Sequence, residues 1–175
     1  MTYPVNNNDA GAHDRELQFL VFRIGDNEYG LEVPVIQEVD RMCAVNKIPN
    51  MPSFVEGMIN LRGSVIMVIN LRERFGLAKI EKNKKTRIVV VKSKTKTLGF
   101  IVDSVVEMVS LPYAALAHPS GGVPPGVKGY VSGVGEVGGL SIIILDLKKL
   151  IEGIAGPVFT HVPFRYSDDN NIRKS

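Results

Sequence analysis

Tryptophan is absent from the 175 residues, and cysteine occurs once, at Cys43. A lone cysteine excludes an intramolecular disulfide, and with it the small secreted scaffold stapled by cross-links. It has no partner at metal-binding spacing, so its plain reading is a small, buried or half-buried hydrophobe. Histidine is nearly as scarce. His13, His118 and His161 stand far apart, none at ligand spacing to cysteine, aspartate or glutamate. No serine sits in a nucleophile elbow, and no carboxylate pair is singled out by spacing. No apolar run reaches the roughly 18 residues of a membrane helix. Residues 1–16 are polar and lack the apolar stretch of a signal peptide. These absences predict a cytoplasmic protein with no catalytic residues, no metal and no cofactor, and they turn attention to surfaces that bind protein.

What is present suits an ordinary globular chain: 45% hydrophobic and 22% charged, long enough to bury a core without staples. The net charge of +3 is unevenly placed. Residues 79–96 carry eight cations (Lys79, Lys82, Lys84, Lys85, Arg87, Lys92, Lys94 and Lys96) against Glu81 alone, so +8 − 1 = +7 there and +3 − 7 = −4 elsewhere. A basic stripe of this kind can bind nucleic acid. This one has no aromatic residue to stack on bases. Its expected role is a solvated linker, residues 79–85, followed by a hairpin.

The apolar pattern is mostly β, and it occurs twice. Residues 17–24 and 28–33 read as strands around the Gly25-Asp26-Asn27 turn. Pro34 opens a helical turn expected to reach Val39. Residues 58–61 and 64–69 read as strands around Arg62-Gly63, and Asn70 caps a short helix over 71–75, stopped by Gly76. The second half repeats the order: strands over 86–92 and 97–102, a helix over 104–109 capped by Asp103, a Pro/Gly loop over 111–126, strands over 128–134 and 140–145, and a helix over 147–151 capped by Asp146. Gly30 and Gly99 differ by 99 − 30 = 69, as do Glu38 and Glu107 (107 − 38 = 69), while the caps Asn70 and Asp146 differ by 146 − 70 = 76. The second copy therefore holds about seven extra residues in its loop. Two copies of one unit predict two similar small barrels, residues 16–78 and 86–154, between tails at 1–15 and 155–175. Glycine inside a strand marks a bend or close backbone approach, so Gly30 and Gly99 are expected at barrel corners.

Gly133-Val-Gly-Glu-Val-Gly138 matches the glycine pattern of a dinucleotide fingerprint. That fingerprint needs a helix after it, to meet the pyrophosphate. Here the β-branched run over 140–145 follows, so the glycines predict a hairpin turn. Arg62 lies in a tight turn, where it can salt-bridge to Glu38 or Glu56 or serve a partner. Glu38, beside Ile36 and Val39, is expected exposed on its helical turn as part of a mixed apolar-acidic contact.

The stretches Phe19-Leu-Val-Phe-Arg-Ile-Gly-Asp-Asn-Glu-Tyr-Gly30, Ile36-Gln-Glu-Val39, Ile48-Pro-Asn-Met-Pro-Ser-Phe-Val-Glu-Gly57, Ile59-Asn-Leu-Arg-Gly63 and Leu98-Gly-Phe-Ile-Val-Asp103, with residues 142–147, resemble the CheW family of chemotaxis coupling proteins. The resemblance covers about residues 16–153, and Asn60-Leu61-Arg62-Gly63 is its most specific element. It departs from the family pattern at Pro34 and Asp40. It implies two five-stranded SH3-like barrels on a shared core and a scaffold without catalysis. It implies partners too: the cytoplasmic tip of methyl-accepting receptors and the regulatory domain of the histidine kinase CheA, with neither nucleic acid nor membrane insertion. Carried onto this chain, the receptor contacts are Ile36, Glu38, Arg62 and Gly63, with Val102 and Val105 flanking the groove. Gly57 and Gly99 match positions where the family uses glycine for backbone reasons. The alternative is a small-barrel protein that binds nucleic acid through residues 79–96.

Overall fold

The structure, a computed structural model, describes residues 15–94, 96–119 and 121–154. Ten strands dominate it: β1 (Glu16–Ile24), β2 (Asn27–Glu32), β3 (Ile36–Arg41), β4 (Val55–Leu61), β5 (Ser64–Asn70), β6 (Arg87–Lys92), β7 (Thr97–Val102), β8 (Ser104–Pro112), β9 (Val131–Val137) and β10 (Leu140–Leu145). Two short helices, α1 (Leu71–Arg74) and α2 (Leu147–Ile151), follow β5 and β10. Their starts form as the sequence indicates. Asn70 Oδ1 accepts from the Glu73 amide at 3.4 Å, and Asp146 Oδ1 from the Lys149 amide at 3.2 Å.

The strands make two five-stranded sheets, β8-β1-β2-β10-β9 and β3-β6-β7-β5-β4. The fold is mostly β with two alike subdomains, as expected. The ladders end at edge strands, and in each subdomain the segment after one edge strand makes an isolated bridge to the other edge, Asn46 (after β3) to Met58 on β4 and Ala117 (after β8) to Val134 on β9. The repeat register holds in detail. Gly30 lies opposite Val21 and Ile144, and Gly99 opposite Val90 and Val68. The partners differ by the same offsets, 90 − 21 = 69 and 144 − 68 = 76. Both glycines are needed for close approach. A Cβ on Gly30 would stand 3.0 Å from Ile144 Cδ1, and one on Gly99 2.8 Å from Ile88 Cγ2.

One expectation fails. The barrels are not residues 16–78 and 86–154. Strands β1 and β2 leave the first half and join β8, β9 and β10, while β6 and β7 join β3, β4 and β5. The two copies exchange their first hairpins. The physical reason lies in β1 and β6, whose central residues are buried on both faces. Such a strand must be flanked on both sides, and β8 and β3 supply the second neighbour.

The helical turn expected over 34–39 is a single 3-10 turn, Val33–Val35, followed by β3, and the helix expected over 104–109 is β8. Strand-favouring Ile36, Val39, Val105, Val106 and Val109 decide the outcome. The final strand of the 128–134 segment starts only at Val131, after a 3-10 turn, Lys128–Tyr130. The glycine pattern at 133–138 is a β9–β10 hairpin, with Gly138 and Gly139 in its turn at φ 56° and 80°.

Burial shows three clusters. Phe19, Val21, Ile142 and Ile144 fill one subdomain, and Ile59, Val68, Ile88 and Val90 the other. A larger cluster containing Phe22, Tyr29, Val89, Phe100 and Leu150 draws on both sheets and welds them together. Burying each aromatic there contributes about 2 kcal/mol. Burial also pushes the Tyr29 hydroxyl up to about 12, partly offset by its bond to Asn27, so the ring stays neutral. Two polar clasps span the subdomains. Asp103 does not cap a helix; its Oδ2 accepts from the Gly25 amide at 2.8 Å and from Arg72 at 2.6 Å. Arg74 stacks its guanidinium on Phe54 and Tyr130, at 4.6 and 5.2 Å, and donates to the Leu150 and Glu152 carbonyls.

Candidate functional site at the β3 edge and the β4–β5 turn

The β4–β5 hairpin closes through Arg62 at φ 52° and Gly63 at φ 84°. Two successive positive φ values match the right-handed twist of the strands, and glycine or asparagine normally supplies them. Among the described residues only Asn50 and Arg62 are non-glycine at positive φ. Holding arginine there costs about 1 kcal/mol. Asn60 Oδ1 braces the turn by accepting from the Gly63 amide at 3.1 Å. The same turn in the second copy is Gly138-Gly139.

The Arg62 side chain is 78% exposed, and Nη2 lies 3.0 Å from Glu38 Oε2. Of the two sequence candidates for its partner, Glu38 is the one engaged. Strands β3 and β4 are opposite edges of their sheet, so the pair spans the seam where the curled sheet meets itself. Glu38 is not the exposed helical residue expected. It lies on β3 opposite Val90, with its side chain only 15% exposed, because β3 turns Ile36, Glu38 and Asp40 inward and Gln37, Val39 and Arg41 outward. Glu38 Oε1 and Asp40 Oδ2 are buried without a hydrogen-bond partner. A register shift between Ile36 and Glu38 bulges the strand. Bulges at sheet edges re-aim side chains.

Ile36 and Val105 are equivalent by the repeat (105 − 36 = 69), and both pack half-buried against the shared core. Val102 does not belong with them. It is completely buried opposite Arg87, so no partner can reach it. Gly57 has a structural role: at φ 147° its Cβ would lie 2.1 Å from the Asn46 carbonyl oxygen, at the bridge to Met58. Sequence reasoning named Val39 beside Glu38 but missed the outward apolar residues of β8, Val106 and Met108. Val39 is 38% exposed and Met108, its counterpart on β8, 58%. Outward-facing hydrophobics on an edge strand were the available signal.

Cys43 is exposed rather than buried, and its thiol is pushed up by desolvation and by Asp40 nearby, which keeps it protonated. The 79–85 linker is exposed but not loose from the body: Lys79 and Lys82 reach Glu56 Oε1 at 3.7 and 3.3 Å. Burial works against the Glu56 carboxylate, yet the Asn70 amide and these two lysines outweigh it and hold the group below the ordinary carboxylate range. No group of histidine, cysteine or carboxylate side chains among the described residues is arranged to hold a metal, and no described helix is long and apolar enough to cross a membrane.

Fold and surface define a two-subdomain β protein whose distinctive groups lie on a turn and a strand edge. Residues 18–155 match the CheW-like domain, and the chain belongs to that family. It is 29% identical to the chemotaxis protein CheW of Klebsiella aerogenes over 134 residues, 77% of this chain and 81% of that one. It is 32% identical to CheW of Thermotoga maritima over 140 residues, 80% of this chain and 91% of that one. The crystal structure of the scaffolding protein TtCheW from Thermoanaerobacter tengcongensis superposes with a TM-score of 0.75 at 33% identity, covering 84% of this chain and all (100%) of that one. Proteins of this family are chemotaxis scaffolds and adaptors, not enzymes.

Proposed function

We propose that the protein works in the cytoplasm as a coupling adaptor, joining the cytoplasmic tip of methyl-accepting chemoreceptors to the regulatory domain of the histidine kinase CheA. The receptor tip meets Ile36, Glu38, Arg62, Gly63 and Val105; the kinase binds elsewhere. The observation that carries this reading is Arg62, kept at a positive φ where the equivalent turn uses glycine, with its guanidinium exposed above Glu38. A side chain held at a backbone cost is best accounted for by what it does outside the fold. The Glu38 side chain, 15% exposed and paired with Arg62 through Oε2, adds an acidic group beneath the guanidinium. The neighbouring Val39 supplies apolar surface. An apolar centre with a charged rim suits a reversible contact of modest area.

Calorimetric titration of Glu38→Ala against a soluble receptor-tip fragment, and separately against the CheA regulatory domain, tests the reading. Truncating a desolvated interfacial charge costs about 2–5 kcal/mol. Receptor affinity should fall and kinase affinity stay near wild type. A well-folded Glu38→Ala that binds the receptor fragment normally and loses the kinase would reverse the assignment of faces.

A further inference from the structure

Two arginines face each other across neighbouring strands at one end of the β3-β6-β7-β5-β4 sheet. Arg41 ends β3, Arg87 begins β6, and the register pairs them directly. Like charges placed opposite each other in a sheet are destabilising. The repeat shows that the fold does not require them. The same cross-strand position in the other copy is Gln18 opposite Ser110 (87 − 18 = 69, 110 − 41 = 69), and both of those are neutral.

The turn before β6 adds two more cations and fixes them in place. The Asn83 amide donates to Thr86 Oγ1 at 2.9 Å, the Lys85 amide donates to Asn83 Oδ1 at 2.8 Å, and Thr86 itself is buried. Lys84 and Lys85 are left exposed at the tip. Arg87 Nη1 donates to the Lys84 and Thr86 carbonyls at 2.7 and 2.9 Å, which ties the guanidinium to the turn. Those bonds use only Nη1. Nε and Nη2, the edge that grips a carboxylate with two parallel bonds, have no partner among the described residues. Other cations of the basic stripe are answered within the chain: Lys79 and Lys82 reach Glu56, and Lys96 donates to the Ile154 carbonyl. No ion pair among the described residues includes Arg41, Lys84, Lys85 or Arg87. Nearby acids do not serve them. Asp40 turns to the opposite face of β3, and Glu81 makes no ion pair among the described residues.

We propose that Arg41, Lys84, Lys85 and Arg87 form a docking site for an acidic segment of a partner protein. The planar fork of arginine suits carboxylates. Val39, 38% exposed, lies two residues from Arg41 in the same outward row of β3, about 7 Å away. The segment therefore presents an apolar side chain beside its carboxylates. A nucleic acid fits less well. Residues 31–53 and 76–99, which carry the cluster, contain no aromatic side chain to stack on bases. Glu38 and Arg62 take no part, so this site stands apart from the receptor contact.

The test is a nuclear magnetic resonance titration of the full chain at about 0.15 M salt, where only close charges interact. The probe is a capped peptide, Leu-Asp-Glu-Asp-Glu-Leu. The controls are its Asn/Gln isostere and a thymidine pentanucleotide, which matches its charge. The acidic peptide should shift the amides of Arg41, Lys84, Lys85 and Arg87, and the isostere should not. Arg41→Ser with Arg87→Gln, which installs the residues of the other copy, should weaken binding about ten-fold. Arg41→Ser alone leaves the Arg87 bonds to the turn intact and relieves the like-charge pair, so it should raise the thermal midpoint. Should the double variant fail to fold, Arg41→Ser decides both readouts. Shifts centred elsewhere, equal shifts from the isostere, or a lowered midpoint in Arg41→Ser would overturn the proposal. Tighter binding of the pentanucleotide at the same amides would overturn it in favour of nucleic acid, and self-association lost in the double variant would assign the cluster to a second copy.

Discussion

The turn after β4 and the turn after β9 share one backbone and differ in side chains. Both use two positive φ values, 52° and 84° at Arg62-Gly63 and 56° and 80° at Gly138-Gly139. Glu38 on β3 has its counterpart in Glu107 on β8, which is exposed and has only glycine at the position equivalent to Arg62. Glu56, buried under two lysines, corresponds to Ser132. What the two copies share (hairpins, bulges, strand glycines and helix caps) is what the fold requires. What only one copy has, the arginine above all and with it the ion pair to Glu38, is free to serve a partner. The difference separates structural from functional residues within a single chain.

The largest expected effect lies in the shared set. Gly57→Ala forces a Cβ against the Asn46 carbonyl oxygen at 2.1 Å in a backbone region closed to other residues. It should cost about 3 kcal/mol or more, read as a lowered denaturant midpoint at unchanged slope. Gly63→Ala meets open space, so only its φ of 84° counts, and the loss should be about 1 kcal/mol. Equal losses at the two sites would undo the distinction between crowding and backbone conformation.

Asp103→Ala comes next. It removes the acceptor that holds both Arg72 and the Gly25 amide across the subdomain boundary. Leaving a half-buried guanidinium unpaired should cost about 2–3 kcal/mol, measured by thermal unfolding. A change below ~0.5 kcal/mol would mean that the clasp is not part of what joins the subdomains.

The smallest effect concerns pH. The Glu56 carboxyl is held below its ordinary range in the folded protein. Its contribution is therefore fully present above the unfolded value, near pH 4.3, and is lost as pH falls through the lower folded value. Glu56→Gln should flatten the acid limb of the stability–pH curve by less than about 1 kcal/mol and leave neutral stability little changed. A steeper acid limb in the variant would contradict the sign.

Much of the fold was legible because repeat spacing survives even where structure type is misread. Glu38 and Glu107 were assigned to helical turns and lie on strands, yet their equivalence holds, since each pairs with residues 69 apart, Val90 and Val21. The exchange of hairpins was not legible, because strand-forming residues do not specify which neighbour a strand will choose. The inward Glu38 and Asp40 of β3 masked its alternating pattern, since acidic residues read as solvent-facing. The family resemblance placed Val102 beside the groove, and its complete burial shows it to be core. The Arg62–Glu38 pair was anticipated only as one of two partnerships, because turn sequence fixes the backbone but not where a long side chain reaches.

The central claim is that Arg62 is kept for a partner and not for the fold. Arg62→Gly tests it directly by converting the first turn into the glycine pair of the second. Relief of the positive φ offsets loss of an ion pair whose arginine is 78% exposed and whose glutamate is 15% exposed, so stability should stay within about 1 kcal/mol of wild type. Titrated against the receptor-tip fragment, the same variant should bind at least about ten-fold more weakly, the factor that ~1.4 kcal/mol represents. A folded Arg62→Gly protein with wild-type receptor affinity would contradict the account.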